Sequence, residues 1–254
     1  MRILLTNDDG VHAPGIHAMR TALLPLGAVF LVAPERQRSA AGHAITLHKP
    51  LRIHSFPLPD GTEIWATSGT PTDCVTLGLE IVMEGRCDLV VSGINAGPNL
   101  GWDLTYSGTV AAAFEGAVLN LPSIAVSVAA ENTAAEAIDF APAAKFVARL
   151  AARLLKEPLP PHTFLNVNAP PVSADEMRGY AITHQGRREY IDRIITRADP
   201  NGKPYYWQAG SLRDDEQDAG SDVHAILQNQ ISVTPIQLDL TDYSLLERVR
   251  KWEL

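Results

Sequence analysis

The sequence predicts an α/β fold: a doubly wound, mostly parallel sheet between two layers of helices, three layers in all. Three observations predict it. Short apolar runs recur through the first 171 residues, at Ile3–Leu5, Ala28–Ala33, Asp88–Ile94, Ser123–Val128 and Phe164–Asn168. Segments with apolar residues at helical spacing lie between them, and that alternation is what parallel strands joined by crossover helices produce. Turn-forming residues close the runs, most clearly Thr6-Asn7-Asp8-Asp9-Gly10 after the first.

Taken in order, Ile3-Leu4-Leu5 reads as a buried first strand. Pro14–Leu24 follows as a helix, with Pro14 suited to a first turn. Ala28–Ala33 is the second strand, ended by Pro34, and the polar loop 35–43 carries Arg36, Arg38 and Ser39. Ile45–Ser55 and Glu63–Thr67 read as extended segments around the turn at Pro57–Gly61, a hairpin excursion. Thr70 is placed as the N-cap of a helix running to about Met83, with Pro71 at its first position and Asp73 at its third. Asp88–Ile94 is a strand continued by the loop Asn95–Gly101. A helix opens at Ser107-Gly108-Thr109 and runs through Val118, Ser123–Val128 is a strand, Ala134–Leu155 is a long helix, and Phe164–Asn168 is the fifth core strand. From Val172 the texture changes to isolated strands at Tyr180–His184, Tyr205–Gln208 and Ile231–Ile236 with long polar connections. The expected division is a catalytic core over 1–171 and, over 172–254, a smaller β-rich appendage ending in an oligomerisation segment. In that segment Ser232–Leu240 alternates as an edge strand does, and Leu245, Leu246, Val249 and Trp252 recur at helical spacing.

The chain has 254 residues, enough for one large domain with an appendage, and a formal net charge of −8. Acidity of this size argues against a nucleic-acid polymer or a membrane surface as partner, since both need a basic face. Only Cys74 and Cys87 are present, which cannot build a disulfide framework and points to a reducing compartment. The N-terminal apolar run stops at Asp8, short of a signal-peptide core, and no stretch approaches the roughly 18 apolar residues of a membrane span. A soluble, cytoplasmic protein is expected.

The ends of the strands carry the chemistry. Asp8 and Asp9 follow strand one, Ser39 lies past strand two, and Asn95 follows the third core strand; all present oxygen. In an open α/β sheet the crevice outside the carboxyl ends of the strands is where ligands bind. Two adjacent carboxylates there repel each other and call for something positive. Asp-Asp-Gly can also simply shape a turn and cap the next helix, but the company of Ser39 and Asn95 favours a cation. None of the eight histidines falls at zinc spacing, and His12 and His17 are read as surface or supporting groups. Oxygen-only ligation suits Mg²⁺ or Mn²⁺. Ser107, Gly108 and Thr109, at the mouth of an apolar helix, offer free N–H groups and hydroxyls to an anion, although ordinary capping by Ser107 would explain them as well. No GxGxxG, Walker A or GxSxG motif occurs, against a dinucleotide-dependent dehydrogenase, a P-loop kinase or a serine hydrolase.

Taken together, TNDDG (6–10), APER…SAAGHAIT (33–46), SGTPTDCV (68–75), SGINAGPNLG (92–101), YSGTVAAAFEGA (106–117), FLNVNAP (164–170) and ISVTPIQLDLTDY (231–243) resemble the survival protein E (SurE) family of metal-dependent nucleotidases. The resemblance covers nearly the whole chain in one order. It implies a Rossmann-like core, one divalent metal ion per subunit held by Asp8, Asp9, Ser39 and Asn95, and a C-terminal region that makes a homodimer or homotetramer. It also implies release of phosphate from nucleoside 5′- and 3′-monophosphates, and from short polyphosphate in some members. The expected activity is therefore a phosphomonoesterase, a 5′-nucleotidase in which a metal-activated water attacks phosphorus, with Asp8 and Asp9 as catalytic and metal residues and Ser107, Gly108 and Thr109 taking the phosphate oxygens. The alternative is a metal-dependent nucleotide-binding sensor with no turnover.

Overall fold

The computed structural model describes the chain except residues 132, 192–193, 209, 213–217 and 254. Its strands are β1 (Arg2–Thr6), β2 (Ala28–Pro34), β3 (Ile53–Pro57), β4 (Glu63–Thr67), β5 (Leu89–Ala96), β6 (Ser123–Val128), β7 (Thr163–Ala169), β8 (Tyr180–Ile182), β9 (Tyr190–Ile191), β10 (Ile194–Ala198), β11 (Pro204–Gln208), β12 (Ser211–Leu212) and β13 (Ile231–Gln237). The α-helices are α1 (Pro14–Leu23), α2 (Pro71–Leu77), α3 (Gly108–Val118), α4 (Ala141–Leu154), α5 (Asp222–Leu227) and α6 (Leu246–Val249).

Among the described residues, nine strands form one sheet in the order β3-β4-β2-β1-β5-β6-β7-β13-β8. The run from β4 to β7 is parallel throughout. Side-chain alternation sorts the apolar strands onto two faces. Ile3, Leu5, Leu89 and Val91 join α1 and α4 in one core, while Leu4, Val32 and Val90 meet Val75 of α2 and Ala112 of α3 on the other. The predicted three-layer, doubly wound sheet is what forms.

Several elements differ in extent from the sequence reading. The helix expected over 134–155 is a single 3₁₀ turn at Ala135–Ala137 followed by α4, which starts where Pro142 can occupy the first turn and the Asp139 carboxylate caps the Ala141 N–H at 2.9 Å. The extended segment expected from Ile45 pairs only from Ile53, beyond Pro50. The helix expected to run to Met83 is α-helical to Leu77 and widens into a π turn over Gly78–Val82, where Gly78 lets Leu4 pack close to the backbone.

The C-terminal region divides. Strand β13, expected as an edge strand of the appendage, lies inside the main sheet, antiparallel to β7 and parallel to β8. Because β8 pairs only Ile231–Val233, Pro235 with its missing N–H falls beyond that partner, on an open edge that tolerates it. The antiparallel pairs β10–β11 and β9–β12 stand apart from the sheet.

Candidate active site

The strand order reverses between β1 and β5: from β1 the chain winds outward through β2 and β4, then returns to build β5, β6 and β7 on the other side. This switch point opens a crevice at the carboxyl ends of the strands. A cavity of about 750 Å³ occupies it, with Asp8, Asp9, Ser39, Asn95 and Ser107 in its wall.

The turn that delivers the carboxylates is built by its neighbours. Asn7 bridges it with both ends of its amide, accepting from the Gly10 N–H at 3.1 Å and donating to the Gly10 carbonyl at 3.0 Å. Gly10 has φ +105°, a backbone conformation natural to glycine. The Val11 N–H bonds the Pro34 carbonyl at 2.9 Å and the Arg38 N–H bonds the Asp8 carbonyl at 2.7 Å, which draws the loop bearing Ser39 against the turn. Ser39 is exposed at the cavity, and its hydroxyl accepts from Gln37 Nε2 at 2.8 Å, leaving a lone pair for a ligand.

Asp8 is buried and Asp9 partly so. Burial pushes the Asp8 carboxyl up to about 6; the Thr109 hydrogen bonds oppose the shift and the Asp9 charge adds to it. Burial likewise raises Asp9, against the Ala96 N–H that donates to its Oδ2 at 3.2 Å. Among the described residues no Lys, Arg or His pairs with either carboxylate.

Asn95 was expected in the loop after the third core strand. Instead β5 continues to Ala96, with a register shift against β6 between Ser92 and Asn95 that re-aims the strand end. Asn95 Nδ2 donates to the Gly97 carbonyl at 2.9 Å, so Oδ1 is the end left for a ligand.

The three residues at the head of α3 have separate tasks. Ser107 is the N-cap, accepting from the Val110 N–H at 3.1 Å, and it lines the cavity. Gly108 sits against Asp8, where a Cβ would lie 2.8 Å from Asp8 Cβ. Thr109 is fully buried and gives its hydroxyl to Asp8 Oδ1, with its backbone N–H directed to the same carboxylate. The structure therefore commits the Thr109 side chain to holding Asp8.

This geometry decides what could be held here. Among the described residues no three His, Cys, Asp or Glu side chains gather as a metal cluster. Two carboxylates that no described cation pairs with, together with a hydroxyl and an amide oxygen on one cavity wall, are a donor set for a hard divalent cation.

A family profile described as "Survival protein SurE" matches residues 3–192. The chain belongs to the SurE family. It is 48% identical to the 5′-nucleotidase SurE of Geotalea daltonii over 255 residues, 100% of both chains. Against the 5′-nucleotidase SurE of Geobacter sulfurreducens it is 49% identical over 257 residues, covering 100% of this chain and 94% of that one. The crystal structure of the Sure protein from Aquifex aeolicus matches with a TM-score of 0.85 at 42% identity, covering 98% of each chain.

Two groups in this SurE-family site were missed by sequence reasoning. One is a buried asparagine network behind the 95–101 loop. Asn168 Oδ1 accepts from the Asn99 N–H at 2.9 Å, Asn166 and Asn168 both donate to the Asn99 carbonyl at 2.9 Å, and Asn99 Nδ2 donates to Ser127 at 2.8 Å. The signal was present: Asn166 and Asn168 alternate in an otherwise apolar strand, which places both on one face. The other is Arg188, whose buried guanidinium pairs with Asp103 at 2.8 Å and with Glu131, while the Tyr190 hydroxyl donates to Asp103 at 2.6 Å. Nothing local marks Arg188, because its partners are distant in sequence.

Proposed function

We propose that this chain hydrolyses nucleoside 5′-monophosphates to nucleoside and phosphate, with 3′-monophosphates and short polyphosphate as further substrates. The observation that carries the reading is the pair Asp8 and Asp9, paired with no cation among the described residues, sharing one cavity wall at the sheet's switch point with Ser39, Asn95 and Ser107. The 5′-nucleotidase names of full-length relatives support a phosphomonoesterase and give no support to a non-catalytic sensor.

Asp8, Asp9, Ser39 and Asn95 would hold one divalent ion, Mg²⁺ or Mn²⁺, per subunit. When bound, such an ion polarises a phosphoryl oxygen and makes water a competent nucleophile near neutral pH. The residues do the rest. Asp8 and Asp9 would hold and orient the ion against which the phosphate is placed, and the more accessible Asp9 takes the proton of the attacking water. The Ser107 hydroxyl and the Gly108 N–H receive phosphate oxygens, the Thr109 and Val110 N–H groups being already engaged by Asp8 and by Ser107, and the helix dipole favours negative charge there. Thr109 positions Asp8. A direct displacement by water is preferred over an aspartyl-phosphate, because carboxylates engaged with a cation are poor nucleophiles.

The test is phosphate release from AMP with added Mn²⁺ or Mg²⁺, with and without EDTA. Metal-dependent release abolished by EDTA is expected; AMP binding with no phosphate released would overturn the reading. For Thr109→Val, which keeps the shape and removes the donor, affinity for Mn²⁺ is expected to fall about tenfold or more. Isothermal titration measures it, and wild-type affinity would contradict the positioning role.

Residues 1–171 act as the catalytic core in this reading, and residues 172–254 complete the sheet edge and mediate a homodimer or homotetramer. No helix among the described residues is long and apolar enough to cross a membrane, and a cytoplasmic location is part of the proposal. The assembly reading draws on the C-terminal segment, where Leu240 is 88% exposed and Trp252 58%. Deleting residues 241–254 is expected to shift sedimentation toward smaller species. Unchanged assembly of a folded protein would refute it.

A further inference from the structure

We propose that Trp102 and Tyr106 form the platform on which the nucleobase of the substrate stacks, an inference that rests on the nucleotidase reading of the same cavity. Both residues line the cavity that holds Asp8, Asp9 and Ser107. Trp102 is 47% exposed and Tyr106 67%. Single exposed aromatics are common on protein surfaces. Two in the wall of a concave site, on a stiff backbone, are a recognition surface.

The backbone here is stiff for identifiable reasons. The 3₁₀ turn Gly101–Thr105 begins where the Gly101 N–H bonds the buried Asp222 carboxylate at 2.9 Å and the Gly101 carbonyl accepts from Gln185 at 2.9 Å. The turn is held mid-way by Asp103, paired with Arg188, and it ends where the Tyr106 carbonyl accepts the Gly42 N–H at 3.0 Å. Rings presented from such a segment lose little freedom on binding a ligand.

The placement fits a nucleotide. The chain from Asn95 to Ser107 joins a proposed metal donor to the phosphate-receiving helix head, and the two aromatic residues lie on that connection, Tyr106 directly before Ser107. A phosphate seated at Ser107 must extend its nucleoside along the cavity, where Trp102 and Tyr106 offer exposed aromatic surface and the third aromatic of the wall, Tyr190, is partly buried and holds its hydroxyl on Asp103. The volume of about 750 Å³ lies within the usual range of small-ligand sites. Every base has a π-face, so the platform accepts purines and pyrimidines alike and holds purines more firmly.

The experiment compares wild type, Trp102→Ala, Trp102→Phe and Tyr106→Ala with Mn²⁺ present. It reads KM and kcat for AMP and the inhibition constants of adenosine, which has a base but no phosphate, and of inorganic phosphate, which has no base. In Trp102→Ala the KM for AMP and the adenosine constant are expected to rise about tenfold, the size of one lost stacking contact. kcat and the phosphate constant stay within twofold, and Trp102→Phe restores most of the loss. Tyr106→Ala, at the more exposed ring, gives the same split if Trp102→Ala fails to fold. Equal changes in the adenosine and phosphate constants, no change in either, or a wild type that adenosine does not inhibit would overturn the platform while leaving the nucleotidase reading intact. A wild type that releases no phosphate from AMP would overturn that reading, and this inference with it.

Discussion

Asp9→Asn is expected to lower phosphate release from AMP by about three orders of magnitude, the effect of removing roughly 4 kcal/mol of transition-state stabilisation. The change is nearly isosteric, and an amide oxygen can still accept the Ala96 N–H that Asp9 now accepts. The fold should therefore persist. Metal-free protein should melt no lower than wild type, because one of two repelling, partly desolvated charges is gone. Phosphate assays with thermal melts in EDTA measure both. Normal turnover and normal metal affinity would show that Asp9 is only a turn residue.

The second large effect lies far from Asp9 in the sequence. Asp222 is fully buried, and its carboxylate accepts N–H groups from Gly101 at 2.9 Å, Gly186 at 2.8 Å and Val223 at 2.8 Å. Burial raises its pKa, and those N–H groups oppose the shift. Asp222→Ala would leave the buried Gly101 and Gly186 N–H groups without this partner, and a loss of about 3–5 kcal/mol of stability is expected. Asp222→Asn should lose less, since its amide oxygen still accepts, although its NH₂ then faces a donor. Urea unfolding gives the values, and a loss below about 1 kcal/mol for Asp222→Ala would refute the role. The contact matters because it joins the C-terminal region to the segment 97–106 that follows β5. That segment brings Trp102 and Tyr106 to the cavity, beside the strand end that carries Asn95.

The core strands and the strand-end oxygens were legible because both depend on local pattern. An apolar run buried on both faces ends in a turn, and turn residues name themselves. The sequence therefore placed Asp8, Asp9, Ser39, Asn95 and Ser107 in one crevice, and the structure brings them to one cavity wall. What was not legible depends on distance. Thr109 was read as an anion donor, since nothing in Ser-Gly-Thr reveals that Asp8, more than a hundred positions earlier, claims its hydroxyl. Strand β13 was read as an outlying edge because alternation describes a half-buried strand and not its neighbours. Arg188 and Asp222 carried no signal, as their partners come from elements that only the fold brings near. Two local cues were overlooked: Pro142, which shortened a helix, and the alternation of Asn166 and Asn168 in an otherwise apolar strand.

The central claim is that one divalent cation sits between Asp8, Asp9, Ser39 and Asn95 and serves phosphate release. Anomalous diffraction at the manganese edge, from crystals soaked with Mn²⁺ under conditions in which AMP is hydrolysed, tests it most directly. One strong peak per subunit is expected within coordination distance of those four side chains, and it should be lost in Asp9→Asn. A peak elsewhere, or no peak in crystals of enzyme whose turnover requires Mn²⁺, would contradict it.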